Sequence, residues 1–180
     1  MLKIKIPAVE VFNEEDSTFS KIIPDTDLQL EHSLVSISKW EAKYRKPFLS
    51  KEIKTNEEVL DYIKFMTLTQ NVNPIVYNYL PESAILEINK YIEAPMTATT
   101  FREDNKTHSN EIITSEIIYY WMVSFNIPFE CQKWHLNRLL TLIRVCSAKN
   151  APQKKMSAKE IMTRNRALNK ARRAQLNSKG

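Results

Sequence analysis

Residues 1 to 12 alternate, with Leu2, Ile4 and Ile6 on one side and Lys3 and Lys5 on the other. A period of two predicts a strand, broken at Pro7 and resumed in AVEVF. NEEDSTF (13–19) reads as a polar turn. TDLQLEHSL alternates again through Leu28 and Leu30, and pairing with the first strand would make a small sheet. From there the period lengthens. SLVSISKWEAKYRK sets Leu34, Ile37, Trp40 and Tyr44 at helical spacing, and Pro47 closes the segment. Thr55 and Glu58 form a capping box, which predicts a second helix with Val59, Tyr62, Ile63 and Met66 inward. PESAILEINKYIE predicts a third, with Ile85, Ile88 and Ile92 inward.

Residues 94 to 108 have no helical period and read as a polar, Thr-rich connection. The most apolar segment follows. A fourth helix is expected from Asn110 to Phe125, carrying Ile113, Ile117, Tyr120, Trp121 and Phe125. A fifth is expected to start at Pro128, carrying Cys131, Trp134, Leu136, Leu139, Leu140, Leu142 and Ile143. The short NIP joint predicts that these two pack antiparallel or sharply crossed. SAKNAPQKK is a linker, and Ser157 with Glu160 forms a second capping box opening a last helix. The expected architecture is mainly α. A helical body (1–148) begins with a short β element (about 1–32), and a linker (149–156) leads to a basic C-terminal helix (157–180).

Charge changes the picture most at the C-terminus. Residues 149 to 180 hold ten Lys or Arg and one acid, Glu160, a net +9. The other residues hold 16 basic and 20 acidic side chains, a net −4. A mildly acidic body with a strongly basic tail calls for an acidic partner of the tail. The single glycine is Gly180, so no Gly-rich phosphate loop, Walker motif or GxSxG elbow can form. No apolar run approaches the ~18–20 residues of a membrane span, and the N-terminus lacks a signal-peptide core. A soluble, intracellular protein is expected. Cys131 and Cys146 would lie about 22 Å apart on one helix, too far for a disulfide, and read as inert thiols.

Candidate chemistry is sparse. Cys131 and His135 stand at i,i+4, but no second pair completes the four ligands of a structural zinc site, so His135 reads as a core histidine. His32, His108 and His135 sit in unrelated contexts, and nothing pairs a nucleophile with a base. No catalytic, cofactor or metal site is expected. YYW (119–121) offers aromatic faces for bases, yet three consecutive helical residues point three ways, which favours core packing. In the tail, Ile161, Leu168 and Ala171 make a narrow stripe among Arg164, Arg166, Lys170, Arg172 and Arg173. Three readings stay open: a solvated helix, a helix that docks on a partner protein, or a nucleic-acid-binding segment.

EHSLVSISKWEAKYRKPFLS, IYYWMVSFNIPFECQKWHLNRLLTLIRVC and KKMSAKEIMTRNRALNKARRAQLNSKG together resemble the tail assembly chaperones of long-tailed bacteriophages, over about residues 28 to 180. The resemblance implies a non-enzymatic partner of the tape-measure protein, keeping it soluble while tail-tube proteins polymerise around it in the infected host's cytoplasm. It also implies a longer form made by ribosomal frameshifting. A structural virion component, in the tail, the connector or on the capsid, is the alternative, and a nucleic-acid-binding accessory protein the third.

Overall fold

The computed structural model describes residues 1–13, 18–101, 112–151 and 157–176. The protein is mainly α-helical, with a short β element at its N-terminus. The strands are β1 (Leu2–Ile6), β2 (Val9–Asn13), β3 (Thr18–Ile23) and β4 (Thr26–Leu30). The helices are α1 (Leu34–Tyr44), α2 (Asn56–Met66), α3 (Glu82–Glu93), α4 (Ser115–Ser124), α5 (Leu136–Asn150) and α6 (Ala158–Gln175). Two 3-10 segments, Pro74–Tyr79 and Phe129–Lys133, precede α3 and α5. The chain divides into two compact units, Met1–Ser147 and Ala148–Gly180. Among the described residues, no helix is long and apolar enough to cross a membrane.

The expected pairing of the first strand is present: β1 runs antiparallel to β4, with Ile4 opposite Leu28 and Leu2 opposite Leu30. Ile4, Ile6, Leu28 and Leu30 are buried on the shared face while Lys3 and Lys5 are exposed. The other edge of β4 is covered by the chain leaving α2, where Leu68 N–H donates to Gln29 O (2.7 Å) and Glu31 N–H to Met66 O (2.9 Å). The sequence reading missed β3. It took 13–19 as a turn, whereas Asn13 ends β2 and β3 begins at Thr18; residues 14 to 17 lie outside the described residues. β2 and β3 pair antiparallel with an irregularity between Val9 and Glu10, and Ile23 anchors the hairpin in the core.

α1 opens on Ser33, whose side chain accepts from Ser36 N–H while Ser36 Oγ accepts from Ser33 N–H. It ends on Arg45 in the left-handed region (φ 54°). Leu34, Ile37 and Trp40 face inward as expected. The Thr55–Glu58 capping box of α2 is formed, but Val59 is exposed. Asp61 takes a place on the buried side with Tyr62, Ile63 and Met66. In α3 the buried residues are Ala84, Ile88 and Tyr91, so Ile85 and Ile92 flank the inner face and do not centre it.

Helices four and five differ most from expectation. α4 starts at Ser115, residues 112–114 before it are not helical, and the expected start at Asn110 lies outside the described residues; its buried positions are Ser115, Ile118 and Met122. Tyr120 is 68% exposed. Ile117, Trp121 and Phe125 are only partly covered. The face is rotated because apolar residues surround this helix on nearly all sides, leaving no polar side to mark its orientation. α4 packs chiefly on α1 instead of α5. It closes through Asn126 (φ 52°), with Ile127 N–H donating to Met122 O (2.8 Å) and Asn126 N–H to Val123 O (3.1 Å). That is a Schellman arrangement with asparagine where glycine is usual. The expected helix from Pro128 is broken in two. Phe129–Lys133 is 3-10, and α5 begins only at Leu136, whose N–H donates to His32 O (2.7 Å) where an unbroken helix would turn it to Gln132 O. Cys131 and Cys146 therefore occupy different elements, and both are free thiols. α5 also runs on to Asn150, into the start of the expected linker.

Candidate functional site

Two groups of polar residues stand out, one buried in the body and one displayed on α6. The buried group joins residues that the sequence reading placed in unrelated contexts. His32 and His135 lie with ring centroids 5.1 Å apart. His32 Nδ1 is hydrogen-bonded to Tyr62 Oη, and Tyr91 Oη donates to Glu31 Oε1 (2.6 Å). His135 Nε2 meets the Tyr91 carbonyl at 3.0 Å, while its Nδ1 accepts from Asn137 N–H at 3.3 Å. These contacts set the tautomer, with the proton on Nε2. His108 lies outside the described residues.

The electrostatics of this group are those of a sealed polar core. Burial, helped by the neighbouring His135, drives the His32 pKa down to about 3. Burial also lowers that of His135, against the opposing pull of the Tyr91 carbonyl. Burial raises the Tyr62 and Tyr91 hydroxyls well above the ordinary phenol range, and the Glu31 carboxylate raises Tyr91 further. Both imidazoles are thus neutral at pH 7, and the phenols keep their protons. Among the described residues no buried side-chain nitrogen or oxygen lacks a partner, and no three His, Cys, Asp or Glu group to hold a metal.

The buried carboxylates are also engaged in holding the fold. Glu41 accepts from Phe48 N–H and from Ser115 N–H (both 2.8 Å), so a side chain on α1 caps the first turn of α4. Burial alone would raise the Asp61 pKa, but hydrogen bonds from Lys43, Tyr44 and Lys64 hold it well below the usual range. Glu58 pairs with Lys46 at 2.9 Å. YYW points three ways: Tyr120 outward, with Tyr119 and Trp121 partly covered and Tyr119 Oη bonded to Gln132 (2.9 Å).

α6 is the opposite case, because none of its residues is buried. Its start is well defined: Ser157 Oγ accepts from Glu160 N–H (3.2 Å), and the Glu160 carboxylate accepts from Ser157 N–H (2.8 Å). Ile161 is 45% and Leu168 46% exposed, with Met162 more so. Ala171 and the cations Arg164, Arg166, Lys170, Arg172 and Arg173 are exposed as well. At ~100° per residue the helix resolves them into two sides. Ile161, Leu168 and Ala171 form one, with Arg164 lying between Ala171 and Leu168 and Arg172 at the edge; Arg166, Lys170 and Arg173 belong to the other. The sequence reading treated the cations as one ring and overlooked Lys159, which falls with Arg166 and Lys170. No protein-family model matches this chain, and neither the curated proteins nor the solved structures give a match.

Proposed function

We propose that the chain acts by binding and without chemistry of its own, as a bacteriophage morphogenesis protein of the tail assembly chaperone kind. In this reading α6 lays its Ile161, Leu168 and Ala171 side against an apolar face of a helical client, the tape-measure protein, before the tail tube encloses it. The observation that carries it is an 18-residue helix with a formed capping box and no buried residue. An amphipathic segment of this length buries its apolar side only when something else supplies the surface. Arg172, at the edge of this side, would meet an acidic residue of the client. The neutral, fully partnered histidines and the engaged carboxylates of the body support a scaffolding role for the rest of the chain.

The test is coexpression with the tape-measure protein of the same phage. The full chain is expected to keep that protein soluble and coelute with it, and I161E/L168E to lose both properties. A tape measure that stays insoluble beside the intact chain, or that I161E/L168E rescues equally, overturns the reading. Recovery of the chain in purified particles would instead favour the structural virion component.

A further inference from the structure

The geometry points to a second ligand for α6, on the side away from Ile161 and Leu168: the phosphate backbone of double-stranded nucleic acid, held by Lys159, Arg166, Lys170 and Arg173. This inference goes beyond the client-binding reading and uses none of the same residues. Advancing ~100° per residue, these four positions fall within about 60° of arc. Along the axis they extend over about 21 Å at ~1.5 Å per residue. All four are exposed. The helix has one acid, Glu160, and its carboxylate is engaged by Ser157 N–H and Ser157 Oγ–H at the first turn. Glu160 lies about 80° outside the stripe around the helix, so no acid falls within it.

Three features favour a phosphate backbone over an acidic protein surface or single-stranded bases. First, protein-docking faces carry an apolar anchor at the centre with charges at the rim. Here the cationic face has no apolar residue inside it, and Met162 only borders it. Second, α6 has no aromatic side chain on which unpaired bases could stack. Third, an α-helix about 10–12 Å across fits the major groove of a duplex, and 21 Å of that duplex presents about twelve phosphates at one per ~1.7 Å. The amides that would read adenine edges, Asn165, Asn169 and Gln175, lie off the stripe, which leaves a contact carried by positive charge on the phosphates.

Fluorescence anisotropy with the full chain and a short labelled DNA duplex of mixed sequence tests this, between about 50 and 200 mM salt. Binding is expected to be independent of sequence. The slope of log K against log salt should become about 3.6 shallower in K159Q/R166Q/K170Q/R173Q, from ~0.9 per phosphate contact. That variant should lose at least about tenfold in affinity at the lower salt, the direction set by the lost counterion release. I161A/L168A should bind duplex like the parent, which separates this inference from the client-binding one. Circular dichroism confirms that the glutamine variant keeps its helix, and Ser157 is left intact for that purpose. Absence of binding at about 50 mM salt, unchanged binding by the glutamine variant, or equal displacement of duplex by polyglutamate at matched charge overturns the proposal. The last result would make the stripe a site for an acidic protein.

Discussion

Arg45, Asn71, Met96 and Asn126 all occupy the left-handed region, at φ values of 50 to 58°. In a chain whose one glycine is its last residue, such turns fall on side-chain-bearing residues. Asparagine tolerates this well; arginine pays about 1–2 kcal/mol in Cβ crowding. Arg45 closes α1 with its N–H on Glu41 O (2.7 Å), and glycine is favoured at that position. Arg45→Gly should therefore raise the stability of the body by about 0.5–1 kcal/mol in urea unfolding, after the added freedom of the unfolded chain is subtracted. An unchanged or lower value would mean that the Arg45 side chain contributes something the helix end does not. Histidine gives a second prediction at this scale. The ordinary histidine pKa of 6.5 falls to about 3 at His32, so the unfolded chain takes up protons that the folded one refuses. The stabilising effect of a neutral His32 is complete above pH 6.5 and is lost progressively as pH falls toward 3. Asp61 and Glu58, whose pKa values are lowered from 3.8 and 4.5, add their own acid sensitivity only lower down. Urea midpoints should hence decline between pH 6.5 and 4.5, and His32→Gln, though less stable, should remove part of that decline, the rest coming from His135. A parent midpoint constant across this window would contradict the neutral histidine.

Elements were legible where a cap or a clean period announced them. Thr55 with Glu58 and Ser157 with Glu160 mark helix starts that the structure reproduces, and the alternation of β1 and β4 led to their pairing. The failures have physical causes. β3 contains adjacent Ile22 and Ile23 and follows the polar stretch NEEDS in the sequence, which masks its period. α4 is apolar on several sides, so one residue of rotation carries little signal in sequence. The break before α5 depends on the bond from Leu136 N–H to His32 O, a partner far away in the chain. The same remoteness hid the histidine pair, while the α6 cations were visible individually and their sidedness was not. The corrected α4 face makes a sharp contrast. Met122→Ala should cost about 2–5 kcal/mol, as should Leu139→Ala in α5, both side chains being fully buried. Tyr120→Ala should stay within about 0.5 kcal/mol. Equal losses at Met122 and Tyr120 in thermal or urea melts would return the helix to its expected orientation.

Across the whole molecule, burial and charge are partitioned together. The body holds the apolar core and a net charge of −4 up to residue 148, while residues 149 to 180 carry +9. No residue of α6 is buried, so a chain ending before Ser157 should melt as cooperatively as the full one, with a midpoint unchanged within error in differential scanning calorimetry. Loss of cooperativity on truncation would make α6 a part of the core. The backbone bond between His32 and Leu136 has a further consequence for synthesis. A ribosome adding ~5–20 residues per second needs on the order of 5–20 s to make the chain between those two residues. His32 waits throughout that interval, and Tyr62 from the moment it is added, without the element that seals them, so the nascent body passes through a stage in which its polar centre is open to water. The residues of α6 are translated after every residue the body requires for closure; changes to their length or composition leave that order of events intact.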